Sequence, residues 1–465
     1  MNKLKPYKNY KPSHIAWLGD IPEHWEQTYL NKLFLDNKTK NEDLRENNLL
    51  TLSYGKIKRK DINSANGLLP ASFSNYQIVE KGDIILRMLD LQNDKTSLRV
   101  GFVNERGIIT SAYIGLKVKN NYSSKYFYAL LNHLDLIKHF YNGGGGVRQS
   151  VGFSELGKER ITLPPLSEQT AIANFLDYKT AKIDRFIAKK KQLIKLLNEQ
   201  KSAIINDAVT KGLNPNVKMK PSGIEWLGDI PEHWEVRRLK YLAKIKTGRT
   251  PKIESSLIDF FENAEINWFT PGDFKYDGIL KDSKRKVNEF AIESNQVEIF
   301  PENTVYLIGI GGTIGKIGMS YLSASANQQI NAIIFREKIY PEFGFYFLKN
   351  SKHQVDLLAD FTTLPILNQA KTKEIIVGVP PITEQKNIVE YIEQETAQIN
   401  TIIQTIEKEI TLVQEYRTAL IAEAVTGKID VRDYEITEMP IVDLYEELED
   451  EMSLAAEDEV EYGIE

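Results

Sequence analysis

The chain contains no cysteine among its 465 residues. That absence excludes disulfides, thiolate nucleophiles and cysteine-based zinc sites together, and it fits a reducing compartment. Histidine is scarce, with six copies; His133 and His139 stand six apart, which does not set two imidazoles on one helix face, and no HExxH occurs. No run of eighteen apolar residues is present, and the opening MNKLKPYKNYKP lacks the apolar middle of a signal peptide. The expectation is a soluble, cytoplasmic protein without membrane contact.

Positive charge is missing from one place. Between Glu435 and Glu465 there are 13 Asp and Glu and no Lys or Arg, which leaves residues 1–434 with 59 basic against 51 acidic side chains, an excess of 8. The overall net charge of -5 therefore averages a mildly basic body and an acidic tail. Such a body permits nucleic-acid binding through local patches. The tail reads as a solvated, disordered segment, with mimicry of a polyanion near a DNA groove as the functional alternative.

What the chain does have is a duplication. KPSHIAWLGDIPEHWE from Lys11 returns as KPSGIEWLGDIPEHWE from Lys220, identical at fourteen of sixteen positions. PPLSEQTAIANFLDYKTAKID from Pro164 is answered by PPITEQKNIVEYIEQETAQIN from Pro380 at an offset of 216, and the echo runs on to Ala-Val-Thr at Ala208 and Ala424. Each half thus opens on a tryptophan segment, continues through 130 to 140 dissimilar residues, and ends in a long segment entered through Pro-Pro.

The long segments read as helices, with Ser167 and Thr383 as N-caps, Glu-Gln in the first turn, and Gly212 and Gly427 as C-terminal caps. Ile172, Leu176, Ile183, Phe186, Leu193, Leu197, Ile204 and Ala208 recur at coiled-coil spacing, as do Ile392, Ile399, Ile402, Ile406, Ile410 and Val413 in the second. A helix of about 45 residues rises roughly 65 Å and cannot bury that stripe alone, so the two are expected to pack antiparallel. The dissimilar regions alternate strand and helix patterns in one order, with an amphipathic helix expected over Ser124–Tyr141. The fold class is α+β: two mixed heads joined by two long antiparallel helices in a pseudo-twofold repeat. The divisions fall at 1–163, 164–213, 214–379, 380–430 and 431–465.

A search for catalysis finds none. GIGGTIGKIG from Gly309 fails the phosphate-loop pattern, with Ile310 and Ile317 where Gly and Ser or Thr belong, and reads as a glycine-dense hairpin. No GxSxG elbow appears, and Leu163 and Val379 replace the polar residue of an Asn/Asp-Pro-Pro loop. Candidate DNA contacts collect in the dissimilar regions. The first offers Lys56, Lys58, Arg59, Arg87, Arg99, Gly144, Arg148 and Gln149; the second offers Lys246, Thr247, Arg249, Thr250, Lys275, Arg285, Gly312, Lys316 and Gln328. Arg and Lys suit guanine and phosphate, Gln suits adenine, and glycine lets a backbone approach. Trp17, Trp25, Trp226 and Trp234 read as packing residues where head meets helix.

With the doubled WLGDIPEHWE at Trp17 and Trp226, the doubled Pro-Pro-x-Ser/Thr-Glu-Gln, and TGRTP and WFTPGDF at Thr247 and Trp268, the sequence resembles the specificity subunit of type I restriction–modification systems. The likeness covers nearly everything except the tail, although the first region has no TGxTP segment. It implies that each dissimilar region recognises double-stranded DNA and that the helices dock two methyltransferase subunits, joined by restriction/helicase subunits. It also implies that S-adenosylmethionine, ATP and magnesium serve those partners, with no cofactor in this chain. Two other readings stand beside it: the recognition subunit of a related bifunctional restriction system, and a coiled-coil scaffold with two protein-binding heads.

Overall fold

The computed structural model describes residues 5–62, 70, 72–92, 98–119, 121–142, 150–251, 260–274, 278–361 and 364–435. Of these, one compact unit takes 5–189 and 408–435, and the other takes 190–407. The boundaries run through the middle of both long helices, so each unit owns a head, the near half of one helix and the far half of the other.

Both heads are built on the same four-stranded antiparallel sheet. In the first, Phe34–Asp36, Ile114–Val118, Ile84–Leu86 and Val100–Phe102 lie side by side in that order. In the second, the order is Ala243–Thr247, Ile330–Phe335, Thr304–Ile308 and Ile317–Ser320. In chain order each reads first, fourth, second, third, although the letters have diverged. The central strand Thr304–Ile308 is buried throughout, which is why TVYLI is a continuous apolar run. Val305 and Leu307 face the core of helix Pro341–Lys349, whereas Tyr306 and Ile308 face a second cluster with Phe269 and Phe300. The predicted glycine hairpin is present, joining Thr304–Ile308 to Ile317–Ser320 with Gly311 and Gly315 at φ of 109° and 86°.

The first long helix spans Leu166–Lys211 and the second Ile382–Val425. Each begins one residue before the expected cap, so Ser167 and Thr383 sit inside the first turn behind the two prolines. In the first unit Ile172, Phe175 and Leu176 share a core with Leu420, Ile421, Ala424 and Val425; in the second, Ile205, Ala208 and Val209 share one with Ile388, Val389 and Ile392. Arg417 Nε lies 3.6 Å from Asp184 in the first unit, and Lys201 Nζ donates to Asn400 at 2.7 Å in the second. Both pairs of residue numbers add to 601, so each unit holds its own helix halves antiparallel in the same register. The apolar stripe is buried unevenly. Ile183, Ile399 and Ile406 are buried and Leu197 and Ile410 half-buried, but Leu193 is exposed at 40% and Phe186 likewise. Leu193 therefore does not belong to the packed seam, because a two-helix pair can cover only a narrow stripe.

The expected helix over Ser124–Tyr141 stops at Leu136, and Lys138 adopts a φ of 60° before a short 3-10 turn over His139–Asn142. The repeated motifs form one junction in each unit. The helix-ending glycines Gly427 and Gly212 both take φ of 73°, and each abuts the buried tryptophan of its unit, Trp25 or Trp234. His24 pairs with Glu168 at 2.8 Å and His233 with Glu384 at 2.7 Å. Gln169 bridges the Ser123 amide and the Pro164 carbonyl; Gln385 does the same for Tyr340 and Pro380. The half-buried Trp17 lies against His133 and His139, and Trp226 against Phe347. The two repeats thus clamp a long-helix end to a head, twice.

Candidate nucleic-acid interface

In the second unit, four loop segments meet where strand Ala243–Thr247 leaves the sheet. Their hub is Asn331, 3% exposed, whose side chain accepts from Thr247 Oγ1 at 2.8 Å and donates to the Leu367 carbonyl at 3.0 Å and Thr372 Oγ1 at 2.9 Å. A buried amide with both N–H donors and its oxygen engaged fixes its partners' geometry. Gly248 then passes against the next loop so closely that an added Cβ would sit 2.3 Å from the carbonyl oxygens of both Ala326 and Asn327. Arg249 N donates to the Ala326 carbonyl at 2.9 Å, and Trp268 Nε1 to the Arg249 carbonyl at 3.0 Å. Gly309 donates to the Gln329 carbonyl at 2.7 Å, which ties the glycine hairpin to the same loop.

On this platform Arg249, Thr250, Gln328, Gly312 and Lys316 are exposed, and Thr250 Oγ1 donates to Gln328. Arg285 is also exposed and lies over the Phe261 ring at 4.0 Å and the Trp268 ring at 5.5 Å. Lys246 is half-buried and ion-paired with Glu298; burial, and then the charges of Lys244 and Arg249, pull its ammonium below the ordinary lysine range. Structure thus brings together Lys246, Thr247, Arg249, Thr250, Gln328, Gly312 and Arg285 around one rim. Asn331 and Lys244 escaped sequence reading. A polar residue inside an apolar strand pattern, NAIIF, was the available signal for the former.

In the first unit the equivalent strand end carries Asn37, which donates through its amide to the Ile78 carbonyl at 2.7 Å, beside Gln77, 3% exposed, which donates to the Thr110 and Tyr113 carbonyls at 3.0 and 2.7 Å. The missing TGxTP segment is replaced by these amides. A second element has no counterpart among the described residues of the other unit: the two-stranded ribbon Leu50–Ser53 and Lys56–Arg59. Tyr54 and Gly55 turn it with φ of 45° and 77°, the mirror-image turn that suits a two-residue hairpin. Tyr54 stands 78% exposed at its tip, with Lys56 and Lys58 exposed beside it. Tyr54 opens the segment YGKIKRKD, in which the charges of Lys56, Lys58 and Arg59 marked the candidate contacts and an uncharged tyrosine did not stand out.

Arg59 is exposed and ion-paired with Glu105, with Nε 2.7 Å from Oε1; the guanidinium holds the Glu105 carboxyl below its ordinary range. Arg87 is half-buried. Arg99 is a correction: it is fully buried, donating to the carbonyls of Arg87 and Leu89 at 3.1 and 2.7 Å and to Tyr141 Oη at 2.9 Å. Its fork organises a loop from inside and cannot reach DNA. Gly144, Arg148, Gln149 and Lys275 lie outside the described residues, as does the tail from 436 onward. Among the described residues no three His, Asp or Glu gather as a metal site, and no helix is long and apolar enough to cross a membrane.

Residues 22–196 and 231–412 both match the family described as the type I restriction modification DNA specificity domain. The chain is similar to the MjaVIII type I specificity subunit of Methanocaldococcus jannaschii, at 25% identity over 442 residues, covering 92% of this chain and 97% of the relative. It is also similar to the EcoR124I/EcoR124II specificity subunit of Escherichia coli, at 25% identity over 185 residues, covering 39% of this chain and 45% of that one. A solved structure reported for assembly and conformational transition of the type I R-M system shares the fold, with a TM-score of 0.62 at 14% identity, covering 87% of this chain and 98% of that one.

Proposed function

Because the chain belongs to the family of type I restriction modification DNA specificity proteins, we propose that each of its units reads one half of a bipartite DNA site. The observation that carries this reading is one sheet used twice with different rims: a basic ribbon tipped by Tyr54 in the first unit, and the Arg249–Gln328–Gly312 platform in the second. A two-stranded ribbon fits the major groove, and bidentate Arg or Gln contacts there discriminate bases by about 1–3 kcal/mol each. Helix length sets the unread gap between the half-sites.

The long helices carry the partners. Leu196 and Leu412 are exposed at 54% and 63%. They are separated by the repeat offset of 216, so each unit presents the same apolar residue. Matching patches suit two copies of one methyltransferase subunit. That partner supplies S-adenosylmethionine chemistry on an adenine flipped from the stack, restriction subunits supply ATP- and magnesium-dependent cleavage, and this chain makes no bonds itself. The assembly works in the cytoplasm.

Selection from a randomised duplex library by the chain together with its methyltransferase tests the reading. Enrichment of two short conserved blocks separated by a fixed unconserved gap is expected. Recovery without enrichment would instead favour a scaffold with protein-binding heads.

A further inference from the structure

The duplication copied the long helix but not its charge. Between Lys179 and Lys195 the first helix carries Lys179, Lys182, Arg185, Lys189, Lys190, Lys191 and Lys195 against the single acid Asp184. At the offset of 216 those seven positions hold Glu395, Gln398, Thr401, Thr405, Ile406, Glu407 and Thr411, so no cation has a basic counterpart. Within the first unit this run keeps Lys179, Lys182, Arg185 and Lys189 against Asp184, a surplus of three, and the facing stretch of the second helix from Lys408 to Val425, with two basic and three acidic residues, removes one of it.

The only other large charge asymmetry in the chain is the tail, with 13 acids and no base. It leaves the described structure beside the basic run. After the second helix ends, Ile429 and Val431 are buried, and Asp430 N donates to the Lys5 carbonyl at 2.8 Å. The Tyr434 ring then packs on Phe175 and Tyr178 of the first helix at 4.8 and 6.2 Å, with Lys179 Nζ 5.1 Å from its centroid. Beyond Tyr434 the tail sequence spaces its apolar residues Ile441, Leu444, Tyr445, Leu448 and Met452 at intervals of a helical face, with acids between them. On the receiving helix, Phe186 is 40% exposed among Lys182, Arg185 and Lys189. Reach is ample: Phe186 lies eight residues past Tyr178, a rise of about 12 Å, whereas the six residues from Glu435 to Ile441 span up to about 20 Å.

We propose that the acidic tail, residues 436–465, docks on the basic face of the first long helix around Phe186, with its apolar residues on that ring and its carboxylates against the flanking cations. The docked tail shields the run from any other polyanion. It also makes the two repeated halves of the helix pair inequivalent, since the second helix has no such face; the consequence for partner subunits rests on the function proposed above, and the docking itself does not.

The cysteine-free chain allows a direct test. Spin labels on Ala188→Cys and Glu447→Cys in the full chain, without DNA, are expected to give one short distance population below about 25 Å. That population should vanish in a K182E/R185E/K189E background. A broad distribution that is the same in both backgrounds would overturn the docking. A second readout uses an arbitrary-sequence 30-base-pair duplex: truncation after Glu435 should steepen the salt dependence of binding by about 3 to 4 in logarithmic slope, for the four cations uncovered in the first unit. An unchanged slope would equally overturn the proposal.

Discussion

Replacing Gly248 by alanine tests whether the recognition platform of the second unit depends on backbone contact. An ideal Cβ at this position lies 2.3 Å from two carbonyl oxygens, Ala326 and Asn327, where ordinary contact begins at 3.4 Å. Neither oxygen is at the end of a flexible side chain. Relief therefore requires the Thr247–Thr250 segment to part from the Ala326–Gln329 loop by about 1 Å, which breaks or stretches the bonds from Gly248 N to the Ile330 carbonyl and from Arg249 N to the Ala326 carbonyl, both 2.9 Å. Two hydrogen bonds at about 1 kcal/mol each, within the range of about 1–3 kcal/mol for overpacking, set the expected loss at about 2–3 kcal/mol. Urea unfolding reads the stability, and amide exchange locates the damage at residues 248–250 and 326–330. Gly312 is the internal contrast, because nothing among the described residues lies within 4 Å of its added Cβ and its backbone is not left-handed. G312A should leave stability within about 0.5 kcal/mol while weakening DNA binding by at least several-fold, since a methyl group there obstructs only an approaching partner. A G248A protein as stable and as exchange-protected as the parent would refute the reasoning.

Other outcomes follow from the same geometry. R249E should weaken DNA binding and reduce the logarithmic salt slope by about 0.9 if the lost contact is to phosphate; parental affinity would remove Arg249 from the interface. Deleting 187–193 together with 408–414, one heptad from each long helix, shortens both helices by about 10 Å. That should narrow the unread gap by about three base pairs, seen in a methylation-site map, without altering either half-site sequence. Asp430 is bonded by Arg432 at 2.6 Å and its carboxyl is held below the usual range. A depressed folded value stabilises above the unfolded value, near about 4, and the gain disappears as pH falls through the folded value. The difference in urea midpoint between the parent and D430N should therefore be present at neutral pH and shrink on acidification below about pH 4; a difference that grows with acid would contradict the assigned bond.

Much of the fold was legible because the chain repeats itself. WLGDIPEHWE and the Pro-Pro-x-Ser/Thr-Glu-Gln motif announced two halves and two long helices, and the structure gives their identical letters a common task, since His24 with Glu168 and His233 with Glu384 join one motif to the other in each unit. The order of strands in the heads was readable from apolar runs, but their shared sheet became apparent only from pairing. Charge was the poorest guide. Arg99 looked like a DNA contact because a guanidinium reads the same in any sequence, and only burial shows that its donors go to carbonyls. Phe186 and Leu193 keep coiled-coil spacing yet are exposed, since periodicity identifies a stripe without saying how much of it a single neighbour covers. Asn331 and Gln77, the amides that organise the two rims, carry no motif at all; their value lies in which backbone groups come within reach after folding.

The central claim is that each unit reads its own half of the site. Exchanging residues 214–379 for the corresponding region of another family member, and mapping methylated bases genome-wide in cells supplying the methyltransferase, tests it most directly. The account predicts that one half-site changes while the other half-site and the gap persist. A map in which both half-sites change together, or neither does, would contradict it.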